Sequence, residues 1–70
     1  MNRKPTVEQW MILETLVLDH GDTFHAVKGS ARLPLARQLV QLGLAQEDRM
    51  IPGRFRATSK GRSTIERDSL

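Results

Sequence analysis

Residues 35–62 read LARQLVQLGLAQEDRMIPGRFRATSKGR, and this stretch decides the fold because it predicts a helix, a tight hairpin and another helix start in that order. Its first part carries three leucines at the spacing of an apolar stripe on a helix: Leu35, Leu39 and Leu42. Gly43 follows where a helix end favours a left-handed residue, and Leu44 supplies the apolar contact that accompanies such an end. We therefore predict that this helix ends at Gly43.

The second part of the stretch predicts a hairpin followed by a helix start. Pro52-Gly53 is a turn signal between two potential strands. In the second strand Phe55 is expected to point inward, and Arg54 and Arg56 to project from the other face, because side chains alternate along a strand. Thr58 then stands at the position of a helix N-cap. The order of elements predicts an α+β fold.

The pattern Leu39-x-x-Leu42-Gly43-Leu44, followed by Thr58-x-x-Gly61-Arg62, resembles the winged helix-turn-helix family of small phage and bacterial regulators. The resemblance covers roughly 40 residues, from Thr23 to Arg62. It implies one compact domain over residues 1–70, with about three helices, a C-terminal two-stranded wing from Ala45 to Arg56, and a short final helix. It also implies a role in binding double-stranded DNA.

The first helix is expected to begin at Thr6, because Thr6-x-x-Gln9 fits a capping box, and to end at Gly21. Its apolar residues fall on two arcs of the helical wheel. The broad arc holds Val7, Trp10, Met11, Leu13, Val17 and Leu18, and the second arc holds Ile12 and Leu16. Two interpretations stay open: a central core helix with Trp10 as its largest contributor, or a helix that also forms a homodimer interface.

Residues 21–30 give mixed signals. Thr23-Phe24 predicts a short strand, and residues 25–28 predict a short second helix that Gly29 stops. Winged helices have a small first strand and a support helix in this region, so the resemblance implies the same order here.

The resemblance places the recognition helix, which enters the DNA major groove, within residues 30–42. Its outward side chains are expected to be Arg37, Gln38 and Gln41. Arginine suits guanine and glutamine suits adenine, although the same residues are also ordinary helix formers on a solvated surface.

Pro34 departs from the family pattern, in which Ser30 would cap the recognition helix. Proline suits the first position of a helix and pushes the preceding residue toward extended geometry. We therefore predict that the helix starts at Pro34, which leaves Lys28 and Arg32 on an irregular approach suited to phosphate contact. A shortened helix weakens the case for sequence-specific reading of DNA.

The positive charge lies in the same part of the chain as the predicted helix and wing. The net charge is +3; residues 1–27 hold two basic and four acidic side chains, whereas residues 28–70 hold nine basic and four acidic ones. Basic clusters favour polyanions through counterion release, although a solvated basic face that aids solubility is the alternative. The predicted DNA-binding residues are Lys28, Arg32, Arg37, Gln38, Gln41, Arg54, Arg56 and Arg62.

The wing arginines have two open interpretations. Arg54 or Arg56 could contact a minor groove or the phosphate backbone, or could pair with Glu47 and Asp48 on the opposite strand. Arg62 falls in the first turn of the last helix, where a positive charge opposes the helix dipole, and this misplacement hints at an anion contact.

Other function classes are disfavoured. The absence of cysteine removes thiolate metal sites and cysteine nucleophiles, and the cluster Asp19, His20, Asp22 and His25 matches no zinc or hydrolase signature. We expect no enzyme activity, no cofactor and no membrane segment, and a cytoplasmic or nucleoid location. The expected function is a small DNA-binding regulator of transcription. The alternative is a winged-helix module that binds a protein, such as an inhibitor or adaptor of host machinery.

Overall fold

The computed structural model describes residues 5–19 and 23–68, which form three helices and one three-stranded antiparallel sheet. The elements are α1 (Val7–Leu18), β1 (His25–Ala26), α2 (Arg32–Gln41), β2 (Ala45–Glu47), β3 (Arg54–Ala57) and α3 (Ser59–Asp68). The strands lie in the order β1-β3-β2. The predicted α+β class is confirmed.

The core lies between the helices and one face of the sheet. Phe55 is fully buried there, as the alternation in β3 predicted, and Ala57 is buried on the same face. All three helices contribute to the core, which consists of Ile12, Leu13, Leu16, Ala36, Leu39, Leu44, Ala45, Phe55, Ala57 and Ile65.

Helix α1 begins with the predicted capping box. The Gln9 backbone N–H donates to Thr6 Oγ1 (3.2 Å), and the Thr6 backbone N–H donates to Gln9 Oε1 (3.0 Å). Two of the donors that a helix start leaves unpaired are satisfied in this way. The helix ends at Leu18 with Asp19 as its C-cap, and Gly21, the predicted end, lies outside the described residues.

The buried face of α1 combines residues from both apolar arcs. The buried positions are Gln9, Ile12, Leu13 and Leu16. Val7, Met11 and Leu18, which were placed on the main apolar arc, are exposed. Trp10 is partly buried and packs against the core. Apolar residues surround α1 on nearly all sides, so periodicity alone did not identify the face that packs.

The C-terminus of α2 has the predicted geometry. Gly43 has φ +78°, its N–H donates to the Val40 carbonyl (3.0 Å), and the Leu44 N–H donates to the Leu39 carbonyl (2.9 Å). These two bonds form a Schellman motif. The side chain of Leu44 is buried in the core, and β2 begins at the next residue.

The start of α2 differs from the prediction. The helix begins at Arg32 and not at Pro34, because the N–H groups of Arg32 and Leu33 donate to the Gly29 carbonyl (3.2 and 3.0 Å). Pro34 occupies the third position of the helix, where an N–H would have no partner within the helix, so its missing donor costs little.

The short helix predicted at residues 25–28 was wrong. His25–Ala26 forms β1, with His25 opposite Phe55 and Ala26 opposite Arg54, and the Val27 N–H donates to the Gly53 carbonyl (3.0 Å). The predicted strand is therefore present two residues later than Thr23-Phe24. Pairing with β3 keeps this segment extended, and within the described residues no helix lies between β1 and α2.

The hairpin and the start of α3 were predicted correctly. β2 and β3 pair in register, with Gln46 opposite Arg56, and Gly53 adopts φ +92° in the turn. Thr58 caps α3 by accepting from the Gly61 N–H (3.1 Å) and donates its own hydroxyl to the Gly43 carbonyl (2.6 Å). That second bond fixes the start of α3 against the end of α2.

Candidate nucleic-acid interface

The outward face of the sheet carries the two wing arginines. Arg54 and Arg56 alternate with the buried residues of β3 and therefore project away from the helices. Arg56 Nε donates to Gln46 Oε1 on β2 (3.2 Å), and its guanidinium lies 4.8 Å from the ring centre of Phe24. A cation over an aromatic ring at a partly exposed site contributes about 0.5–1 kcal/mol. Arg56 is therefore held by contacts with both Gln46 and Phe24.

The acidic residues of the wing bond to groups other than the wing arginines. Glu47 Oε2 lies 3.5 Å from the Arg37 guanidinium and also accepts from the Gly53 N–H (2.9 Å). Asp48 Oδ1 accepts from the Met50 N–H (2.8 Å). Arg54, in turn, donates to the Phe24 carbonyl (3.2 Å). Glu47 and Asp48 thus bond to the hairpin backbone and to Arg37 of α2, and not to the wing arginines as one of the two interpretations had it.

A polar groove of about 380 Å³ opens between the wing and the start of α3. We call it the β2–α3 groove, and its lining consists of Gln46, Arg56, Ala57, Thr58, Ser59 and Arg62. Two strands and a helix N-terminus bring Arg56 and Arg62 to the same opening, where the partial positive charge of the helix adds to theirs. None of the described residues that line it is acidic. The groove therefore has the chemistry of an anion site.

The three predicted base-reading residues of α2 have different environments. Gln38 Oε1 accepts from the side-chain amide of Gln9, which is buried against it on α1. Arg37 reaches toward the wing and pairs with Glu47, with just over half of its side chain exposed (54%). Gln41 is exposed at the end of the helix. Gln38 therefore has a structural partner that the sequence did not reveal.

Lys28 and Arg32 lie apart from the β2–α3 groove. Both line a cavity of about 110 Å³ between α1, β1 and the start of α2, together with His25. β1 and β2 are the two outer strands of the sheet, so this cavity and the groove lie at opposite edges. The structure thus brings Arg56 and Arg62 together and separates them from Lys28 and Arg32.

Several residues of this region were missed in the sequence. Thr58 was predicted as a helix N-cap and not as part of a site, and Ser59 was not singled out, although a capped helix N-terminus next to arginines is itself a signal for anions. Lys60 donates to the Leu42 carbonyl (3.4 Å), so its positive charge lies against the end of α2. Arg49 is exposed in the tip of the wing beside Met50. An isolated arginine in a turn gives no periodic pattern that could have identified it.

The predicted histidine and aspartate cluster cannot be compared with the structure in full, because His20 and Asp22 lie outside the described residues. Among residues 5–19 and 23–68, no group of three or more histidine or acidic side chains is arranged to hold a metal ion. Within the same ranges, no helix is long and apolar enough to cross a membrane.

Comparison of the chain with protein-family models, curated proteins and solved structures found no match.

Proposed function

We propose that this chain is a winged-helix domain that binds double-stranded DNA through the phosphate backbone, as a small non-enzymatic regulator. The order α1-β1-α2-β2-β3-α3 and the strand order β1-β3-β2 support this assignment, because a hairpin follows the helix in the recognition position. Residues 29–31 form a turn where the family has its support helix. We therefore propose a winged helix in which the support helix is reduced to a turn. A nucleoid location is part of the same proposal.

The observation that carries the proposal is the β2–α3 groove. Arg56 and Arg62 converge there with the hydroxyl-bearing residues Thr58 and Ser59, and Gln46 completes the rim. Guanidinium groups, hydroxyl groups and helix N-termini are the groups that contact phosphates in protein–DNA complexes. A groove with this lining favours a polyanion over a neutral ligand.

The proposed binding is largely independent of DNA sequence. Of the three predicted base readers, Gln38 bonds to Gln9 and Arg37 pairs with Glu47. Gln41 is the third, and the structure gives its side chain no bond to a described residue. The Arg37 pair is exposed, and such pairs contribute about 0–1 kcal/mol, so a phosphate could replace Glu47 as its partner. Arg37 is therefore proposed to reinforce backbone binding.

The test is the anisotropy of a labelled random-sequence duplex, titrated with protein between about 50 and 200 mM salt. The variant Arg56→Gln/Arg62→Gln removes two positive charges from the groove. We expect the slope of log affinity against log salt to fall in magnitude by about 2, since each lost phosphate contact accounts for about 0.9. The loss is expected to be the same on duplexes of different sequence.

The matched control is Arg49→Gln/Arg67→Gln, which removes the same charge from exposed positions outside the groove. We expect the control to keep most of the salt slope of the wild type. Equal losses in the two double variants would show that net charge, and not the groove, governs binding. Melting curves of both variants are recorded to exclude unfolding as the cause.

A second candidate function is protein binding by the same fold, and the tip of the wing favours it. Met50 and Ile51 are 87% and 49% exposed there, on a turn whose backbone N–H groups at Met50 and Gly53 donate to Asp48 and Glu47. A fixed apolar tip suits a protein surface better than a phosphate chain. Absence of binding to random duplex at about 50 mM salt would favour this function over the first.

A further inference from the structure

A groove runs along α1 beside β1 and the start of α2, and it consists of two adjoining recesses of about 110 and 240 Å³. The two recesses share Ile12 and Arg32 in their lining, and we call them together the α1–α2 groove. The α1 wall follows one face of the helix and consists of Glu8, Met11, Ile12, Thr15 and Leu16. The seven residues from position 8 to position 15 span about 10 Å of helix, which is the length of a small molecule.

Much of the surface of the α1–α2 groove is apolar. Ile12 and Leu16 belong to the buried core, and Val27 lines the smaller recess with them. Leu35 of α2 and Met11 of α1 line the larger recess, and Met11 is 59% exposed there. Apolar walls from two elements that enclose a recess provide a surface for a hydrocarbon body.

The charged residues are divided between the two ends of the groove. Lys28 lines the smaller recess, Arg32 lines both, and Glu8 lines the larger one. None of the described residues that line the smaller recess is acidic. The structure pairs neither Lys28 nor Arg32 with a carboxylate of a described residue. The end at Lys28 therefore favours an anion, whereas the end at Glu8 disfavours one.

We propose that the α1–α2 groove binds a small organic acid with one carboxylate and a short apolar body. The carboxylate lies between Lys28 and Arg32 and accepts charge-assisted hydrogen bonds from them. The apolar body extends toward Met11 and Leu35, because Glu8 repels the carboxylate from that end. An inorganic anion would leave the apolar walls uncovered, and a neutral molecule would leave the two cations without a counter-charge.

The proposed acid site is separate from the β2–α3 groove, because the two grooves share no lining residue. Binding of the acid is therefore measured in the absence of DNA. Either proposal can fail while the other holds.

The test is amide chemical-shift mapping of the full chain during titration with sodium hexanoate. We expect shifts that saturate at millimolar concentration, centred on Thr15, Val27, Lys28 and Arg32 and extending to Met11. Hexanol carries the body without the charge, and acetate carries the charge without the body, so each is expected to bind about tenfold more weakly. Equal affinity for hexanoate and either of these probes, shifts centred elsewhere, or shifts that do not saturate would overturn the proposal.

Substitutions test the position of the carboxylate. Arg32→Gln is expected to weaken hexanoate binding about tenfold and to leave hexanol binding unchanged. The matched control is Arg49→Gln, which removes the same charge from an exposed position in the wing and is expected to bind hexanoate as the wild type does. Wild-type affinity in Arg32→Gln, or an equal loss in Arg49→Gln, would contradict the assignment. Melting curves confirm that both variants are folded.

Glu8→Gln tests the direction of the acid in the groove. We expect it to strengthen hexanoate binding about twofold, because it removes a like charge from the far end. A weaker affinity of Glu8→Gln for hexanoate would contradict the proposed direction.

Discussion

At the scale of the residue, Gly61 determines how closely α3 can approach the rest of the molecule. It is buried, and a Cβ atom at this position would lie 2.0 Å from the Leu44 carbonyl oxygen and 3.1 Å from Leu13 Cδ1. The same carbonyl accepts from the Thr58 N–H (3.1 Å), so it cannot move away without losing that bond. The helix therefore needs a residue without a side chain at this contact.

We predict that Gly61→Ala destabilises the protein by roughly 2–3 kcal/mol, because the clash outweighs the higher helix propensity of alanine. Urea unfolding followed by circular dichroism measures the change. Ser63→Ala, at an exposed position of the same helix, is the control and is expected to alter stability by less than about 0.5 kcal/mol. An unchanged or increased unfolding free energy for Gly61→Ala would contradict the packing of α3 against Leu44.

Gln9 and Gln38 form a second contact between single residues, and it joins α1 to α2. Gln9 is buried, closes the capping box of Thr6 and donates to the side chain of Gln38. We expect Gln9→Ala to cost about 1–2 kcal/mol of unfolding free energy, since it removes a cap and leaves polar groups with fewer partners.

Gln38→Ala separates the structural role of this residue from DNA reading. We predict a loss of about 0.5–1 kcal/mol in stability and no change in affinity for any duplex, because its side chain contacts α1. Parallel unfolding and anisotropy measurements decide between the two roles. A selective loss of affinity for particular DNA sequences would restore Gln38 to the base-reading set.

At the scale of the element, the start of α2 shows how a helix can begin two residues before a proline. The Gly29 carbonyl accepts from two successive N–H groups, and Pro34 then falls in the first helical turn. We predict that Pro34→Ala changes the unfolding free energy by less than about 1 kcal/mol, since no intrahelical bond depends on that nitrogen. A loss of several kcal/mol would show that the proline ring itself orders the segment.

The elements that could be predicted from the sequence are those governed by neighbouring residues. The capping box at Thr6, the left-handed Gly43 and the N-cap at Thr58 each depend on groups within a few residues, so their sequence signals were sufficient. β1 depends instead on pairing with β3, about thirty residues later, and a two-residue strand has no periodic pattern of its own.

In the candidate site, too, features set by neighbouring residues could be predicted and contacts between distant segments could not. Alternation in β3 correctly predicted that Arg54 and Arg56 project from one face. The convergence of Arg56 and Arg62 depends on the path of α3, and the engagement of Gln38 depends on the packing of α1. Neither follows from spacing along the chain, because both contacts join elements that are distant in sequence.

At the scale of the whole molecule, two exposed surfaces differ in their chemistry. The helices cover one side of the sheet, and the β2–α3 groove opens beside the wing at the edge of β2. The exposed apolar side chains of α1, which are Val7, Met11 and Leu18, lie on the side of the helix that faces away from the core. Because the described part of the molecule is 32 Å in its longest extent, one copy spans about one turn of B-DNA at most.

The location of DNA binding is the central claim, and amide chemical-shift mapping with a random-sequence duplex at low salt tests it most directly. We predict that the largest shifts occur at Gln46, Arg56 and the first turn of α3, with smaller ones near Arg37, and that they vanish as salt is raised. Shifts confined to the outer face of α1 or to the tip of the wing, or no shifts at low salt, would contradict the account.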